Sequence, residues 1–296
     1  MVRMKMVAGA LALSFACASV GSAATSAPAS TPAIVMENAP GLPGHTVYRP
    51  ADPAKGGPLP VIAFGNGACR AVGNAYEPFL RAVAARGFLV VAGGEIDPAW
   101  RPGDKRPQTS PGHMKAALDW AIAENRRADS PLFGKVATGS LAVMGHSCGG
   151  LEAIVAGADP RVDTVLVLNS GIIRGGIPTP EGGVRQPSGY IPAHEADLPN
   201  LHTPTLYISG GPTDSAYSAV EEDFRQISHI PLVNASLPVG HSGTWRETDG
   251  GAMGAAAIAW LEWRLKGDAQ AARMFEGADC GLCRDGRWTI KKKNMP

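Results

Sequence analysis

Apart from the lysines at 291–293, no stretch of this sequence concentrates charge of one sign. Its 27 Lys and Arg nearly cancel 26 Asp and Glu, for a formal net charge of +1. That balance excludes the broad basic surface that nucleic acid requires, and partner recognition by bulk electrostatics with it. A membrane span is missing as well: the apolar stretch Val7 to Val20 is about 14 residues, against the roughly 20 that a spanning helix needs. Cysteine is scarce, and the one C-x-x-C pair, Cys280 and Cys283, has no second pair and no histidines beside it. A zinc site is therefore not expected there, and a local disulfide is. No internal repeat is visible.

The N-terminus reads as an export signal. Arg3 and Lys5 precede the short apolar stretch, and "GSAAT" offers small residues around Ala23 for cleavage. Residues 1–24 are taken as a signal peptide and 25–40 as a flexible Ser/Pro/Ala-rich linker. Residues 41–290 form the expected folded domain, and 291–296, with "KKK", a solvated basic tail. The mature protein is then secreted or periplasmic and monomeric. Its four remaining cysteines allow three pairings, and an exported chain permits disulfides.

Within the domain, aliphatic runs alternate with helix-like segments, the pattern of an α/β fold with a mostly parallel central sheet covered by helices on both faces. "LPVIAFG", "FLVVAGG", "SLAVMG", "VDTVLVLNSG", "TPTLYISGG" and "PLVNASLPVG" read as strands. "YEPFLRAVAARG", "SPGHMKAALDWAIAEN", "CGGLEAIVAGA", "SAVEEDFRQIS" and "GAMGAAAIAWLEWRLKGD" read as the helices between and after them. Residues 171–203, with six Gly and five Pro, have no period and read as an excursion or lid bordering a site.

Strand, Gly145-His146-Ser147-Cys148-Gly149, helix is the context of a G-x-S-x-G turn that holds a serine in strained backbone. A serine hydroxyl is a weak nucleophile at neutral pH, so it needs a base, and the base an orienting acid, in the chain order Ser, Asp or Glu, His. Asp214 closes "LYISGGPTD" and His241 closes "SLPVGH", each just past a strand. The other six histidines precede the core, lie in helices, in the elbow or in the excursion. Glu221, Glu222 and Asp223 fall on the following helix, where charges usually face water. Cys148 supplies one backbone N–H to a developing oxyanion, and "GNGAC" the second, from Asn66 first, with Gly67 or Ala68 next. Cys69 and Cys148 then flank the two halves of that hole, as a clamping disulfide or as two buried thiols. Trp100, Tyr190, Tyr217 and Trp245 are candidate pocket aromatics. Trp245 and Tyr217, which flank the catalytic loops, and His146 in the elbow are taken as substrate contacts.

"FGKVATGSLAVMGHSCGG", the Asp214 strand end and "VGHSGTW" with "AIAWLEWRLKGD" resemble secreted α/β-hydrolases of the dienelactone-hydrolase-like and cutinase-like group, which includes hydrolases of poly(ethylene terephthalate). The likeness spans about residues 44–285. It implies an α/β-hydrolase fold and a serine hydrolase cleaving carboxylic esters, short-acyl or polyester-like, through an acyl-enzyme. Metal and organic cofactor are not implied. Amidase, peptidase or lactonase chemistry uses the same triad, and a non-catalytic binding protein would keep only the scaffold. Two departures stand out. The group's elbow resembles "GWSMGG", where this chain has His146 and Cys148, and Asn66 stands where an aromatic residue would clamp an aryl ester. A dienelactone hydrolase would carry cysteine at position 147.

Overall fold

Six parallel strands at the centre of a nine-stranded sheet realise the alternation of apolar runs and helices. The computed structural model describes residues 1, 2, 6, 32–179, 183–186 and 190–295. Its strands are β1 Ile34–Asn38, β2 His45–Pro50, β3 Leu59–Gly65, β4 Leu89–Gly93, β5 Val136–His146, β6 Thr164–Leu168, β7 Ile177–Pro178, β8 Val184–Arg185, β9 Thr205–Ser209, β10 Leu232–Ser236 and β11 Thr289–Lys293. The large sheet has the order β1-β2-β4-β3-β5-β6-β9-β10-β11, and β7 pairs with β8 in a separate ribbon. Strands β4, β3, β5, β6, β9 and β10 are mutually parallel, while β1, β2 and β11 join antiparallel at the edges. The helices are α1 Glu77–Ala85, α2 Pro111–Glu124, α3 Cys148–Ala156, α4 Tyr217–Gln226, α5 Gly251–Lys266, α6 Ala269–Ala272 and α7 Gly281–Arg284.

The central strands are apolar along their whole length because both of their faces are covered. In β3, Ile62 and Phe64 pack with Phe79 and Leu80 of α1 and Trp260 and Leu261 of α5. Val61 and Ala63, pointing the other way, pack with Met114 and Leu118 of α2 and Leu151 and Ile154 of α3. The two-residue period of a strand thus splits one sequence run between two cores.

Two boundaries differ from expectation. Residues 34–38, assigned to the flexible linker, form β1 and pair with β2 from Ile34 opposite Pro50 to Asn38 opposite Thr46. The basic tail is no tail: residues 289–293 form β11 against β10. Its lysines are engaged one by one, Lys291 with Glu221, Lys292 with the Phe275 carbonyl at 3.0 Å, and Lys293 with the Ile227 carbonyl at 3.1 Å beyond the end of α4. A cation beside the unsatisfied carbonyls of a helix C-terminus is favourable, which is why so charged a segment folds back. The expected signal peptide, residues 1–24, and the linker up to residue 31 lie outside the described residues, save Met1, Val2 and Met6. Among the described residues, no helix is long and apolar enough to cross a membrane.

Candidate active site

Register places the site. Gly65 pairs with Gly145, His146 with Leu168, Leu168 with Ile208, and Ser209 with Ser236, so β3, β5, β6, β9 and β10 end along one edge of the sheet. The residues immediately beyond those ends converge there. Ser147 follows β5 with φ +54° and ψ −121°, a left-handed backbone that a non-glycine residue rarely takes. Its N–H donates to the Leu168 carbonyl at 2.8 Å, and Gly149 N–H to the Asn66 carbonyl at 3.0 Å. Glycine is required on both sides of the turn. A Cβ at Gly145 would stand 2.1 Å from the Gly149 carbonyl oxygen, and one at Gly149 would stand 2.2 Å from the Gly65 carbonyl. Among the described residues six non-glycine positions have positive φ, and four of them, Ala68, Cys69, Ser147 and Asn169, lie at this edge. Backbone strain of this kind collects where function over-determines the chain.

Ser147 Oγ lies 2.9 Å from His241 Nε2, and His241 Nδ1 lies 2.6 Å from Asp214 Oδ1. A carboxylate only accepts, so Nδ1 carries the proton and Nε2 presents its lone pair to the serine hydroxyl. The second Asp214 oxygen accepts from Gly210 N–H and from Asn169 Nδ2, both at 2.8 Å, and Oδ1 accepts also from Ala216 N–H at 2.9 Å. Burial pushes this carboxyl up. The His241 contact and the backbone donors outweigh burial and hold it at about 2. Asp214 therefore stays ionised throughout the neutral range while wholly enclosed.

On the other flank, the Asn66 side chain donates to the Arg70 and Gly93 carbonyls at 3.0 and 2.6 Å. Asn66 and Gly67 are buried and do not line the cavity that opens at Ser147; Ala68 and Cys148 do. The sequence reading placed Asn66 first, ahead of Gly67 and Ala68, as the second donor, and of these three only Ala68 lines the cavity. Among the described residues, neither Ala68 N–H nor Cys148 N–H has a hydrogen-bond partner in the protein. Ala68 and Cys69 take φ of +55° and +50°. Cys69 is bonded to Cys148, and Cys280 to Cys283, so the cysteines flanking the elbow are not free thiols.

The cavity measures about 570 Å³. Ser147 and His241 line it together with Leu151, Ile172, Ile173, Ile177 and Ile191. Much of the wall comes from the excursion. The three expected substrate contacts are elsewhere. Trp245 is fully buried and donates from Nε1 to Asn169 Oδ1 at 2.7 Å; Tyr217 opens α4 outside the lining; His146 lies beneath the elbow. Of the four aromatics considered, Tyr190 alone lines the cavity. Asp223 does not face water as its helix position suggested. It is buried, accepting from Ile172 N–H at 2.9 Å and Arg174 Nη1 at 2.8 Å, and so ties the start of the excursion to α4. Asn169 is the site residue the sequence reading missed. The signal was its place, one step past the strand that lies between those carrying Ser147 and Asp214.

His146 has a structural task. Its Nε2–H donates to the His241 carbonyl at 2.9 Å, which leaves Nδ1 to accept the Tyr76 hydroxyl at 2.7 Å. Burial first, then the neighbouring His241 ring, pushes His146 down to about 3. Below about pH 6.5 the unfolded chain takes a proton here that the folded chain refuses until about pH 3, so stability is lost as pH falls across that window, by up to roughly 1.4 kcal/mol per unit. Urea unfolding at pH 6.5 and 4.5 should therefore show the wild type losing roughly 2–3 kcal/mol more than His146→Gln. Equal losses would mean that the ring is charged in the fold.

The PET hydrolase-like family, PETase, matches the chain over residues 15–169. The match takes in the Asn66 loop, Ser147 and Asn169, and ends before Asp214 and His241. No curated protein matches the chain.

Proposed function

Because the chain belongs to the PET hydrolase-like family, whose chemistry is the cleavage of ester bonds, we propose that Ser147, His241 and Asp214 are its catalytic triad. The observation that carries this is the unbroken run of hydrogen bonds from Asp214 Oδ1 through His241 to Ser147 Oγ, at 2.6 and 2.9 Å, along a sheet edge that all three reach from strand ends. Ser147 Oγ attacks the ester carbonyl while His241 Nε2 takes its proton, and Asp214 stabilises the imidazolium that results. The same proton passes to the leaving alcohol as the tetrahedral intermediate collapses. Water, activated by His241, then releases the acid from Ser147. The N–H groups of Cys148 and Ala68 are assigned to the oxyanion. Ala68 is preferred to Asn66 and Gly67 because it lines the cavity and they do not.

An isoleucine-rich wall, with Arg174, Arg185 and Glu222 among its polar groups, suits an aliphatic acyl chain or a short length of polyester. The protein is assigned to the secreted or periplasmic space after loss of residues 1–24, a reading that its two disulfides support. A fluorophosphonate should label the wild type and leave Ser147→Ala unlabelled. In a p-nitrophenyl series from acetate to palmitate, rates should fall with chain length in the wild type. A folded protein that neither reacts with the probe nor outpaces Ser147→Ala on any ester would overturn the assignment, and amides or lactones would be tried next.

A further inference from the structure

Asp214 is held by more than its histidine. Asn169, fully buried one residue past β6, donates from Nδ2 to Asp214 Oδ2 at 2.8 Å and to the Gly240 carbonyl at 3.3 Å. Its Oδ1 accepts from Trp245 Nε1 at 2.7 Å. An asparagine amide has a donating and an accepting end of nearly equal shape, and turned over it would set Oδ1 against the Asp214 carboxylate. The indole N–H of Trp245 can only donate, so it selects the orientation in which the NH2 faces the acid. We infer that Asn169, locked by Trp245, is a positioning residue that fixes the Asp214 carboxylate and the Gly240–His241 turn relative to each other. The inference rests on the triad assigned above.

The residue type follows from the place. The backbone here is left-handed, φ +45°, which asparagine tolerates better than most side chains. Aspartate would bring a second carboxylate into contact with Asp214, and two such groups cannot both ionise at that distance. Alanine would leave Asp214 Oδ2 with Gly210 N–H alone. A carboxylate with one donor fewer attracts the imidazole proton more strongly, so His241 becomes a weaker proton donor and is less often free to act as base.

The test uses the mature protein and its Asn169→Ala, Asn169→Asp, Trp245→Phe and Ser147→Ala variants, with p-nitrophenyl acetate from pH 5 to 9 and thermal melts alongside. His146 in the elbow, Arg246 after the catalytic loop and Glu222 on the cavity wall are the neighbouring titratable or charged groups. All are unchanged in these variants. Trp245→Phe keeps most of the buried volume and should lower kcat about 3- to 30-fold with KM within twofold. Asn169→Ala should lower kcat about 10- to 100-fold and move the acidic limb of kcat/KM up by about one pH unit, whereas in Asn169→Asp the new carboxyl shares a proton with Asp214 and the limb should move less. Should Asn169→Ala fail to fold, Trp245→Phe carries the same test. Melting temperatures that fall while kcat and the acidic limb stay at wild-type values would overturn the inference, since a purely structural role predicts that pattern. Wild-type activity in Ser147→Ala would instead remove the triad assignment beneath it.

Discussion

His241→Ala should lower kcat on p-nitrophenyl acetate by a factor on the order of 10⁶, and Asp214→Asn by a factor on the order of 10⁴. The two differ because the residues act at different removes from the ester. Among the described residues, nothing but His241 within hydrogen-bond reach of Ser147 Oγ can take its proton; the other ring nearby, His146, has both nitrogens committed to Tyr76 and to the His241 carbonyl. The Asp214→Asn side chain would keep the shape of the acid but would present an NH2 toward Nδ1. The imidazole then carries its proton on Nε2, against the serine, and most molecules hold the wrong tautomer. Combining Ser147→Ala with His241→Ala should cost little more than either alone, because each already removes the same attack. Steady-state kinetics with circular dichroism on each variant would decide. A folded His241→Ala that keeps more than about one per cent of wild-type kcat would mean that the base lies elsewhere.

Some of this site could be read in the residues before any coordinates. Central strands buried on two faces leave continuous apolar runs, and the residues just past them, Ser147, Asp214 and His241, could be placed by chain order. Edge strands leave no such mark. β11 reads "TIKKK" because it is half exposed and its lysines bond to carbonyls and to Glu221, contacts that no local pattern announces. The left-handed turn beside the proposed oxyanion hole was hidden for a related reason. Glycine is the usual residue for a left-handed turn, yet in "GNGAC" it is Ala68 and Cys69 that take positive φ. Gly67 is there to pass the Tyr76 hydroxyl, from which a Cβ would stand 2.7 Å. Trp245 shows a different limit. Four positions from His241 in sequence, it turns back into the core against Phe79, so nearness along the chain said nothing about which way the ring faces.

The Cys69–Cys148 disulfide should prove the most consequential covalent feature of the fold, for stability and rate together. It joins positions 79 apart in the chain, and on a chain-entropy estimate opening so long a loop costs about 4.5 kcal/mol of stability, against about 1.6 kcal/mol for the three-residue Cys280–Cys283 link. The kinetic effect has a separate origin. Cys69 follows Ala68, Cys148 follows Ser147, and the bond fixes the two proposed oxyanion donors relative to each other across β3 and β5. Freed of it, the loop keeps the hydrogen bonds that the Ala68 and Cys69 carbonyls accept from Gln108 and Thr109, but nothing covalent holds its left-handed backbone against the elbow, and the Ala68 N–H should shift away from the Cys148 N–H. Losing one such donor costs about 2.7–4 kcal/mol of transition-state stabilisation, or roughly 10²–10³ in kcat. Cys69→Ala/Cys148→Ala should accordingly melt well below the wild type and, assayed at a temperature where it remains folded, turn over roughly 10²-fold or more slowly with KM little changed. Cys280→Ala/Cys283→Ala should keep wild-type kcat. Similar kcat in both double variants would place the second oxyanion donor outside the Ala68 loop. A loss confined to the first would tie the rate to the clamp across the elbow.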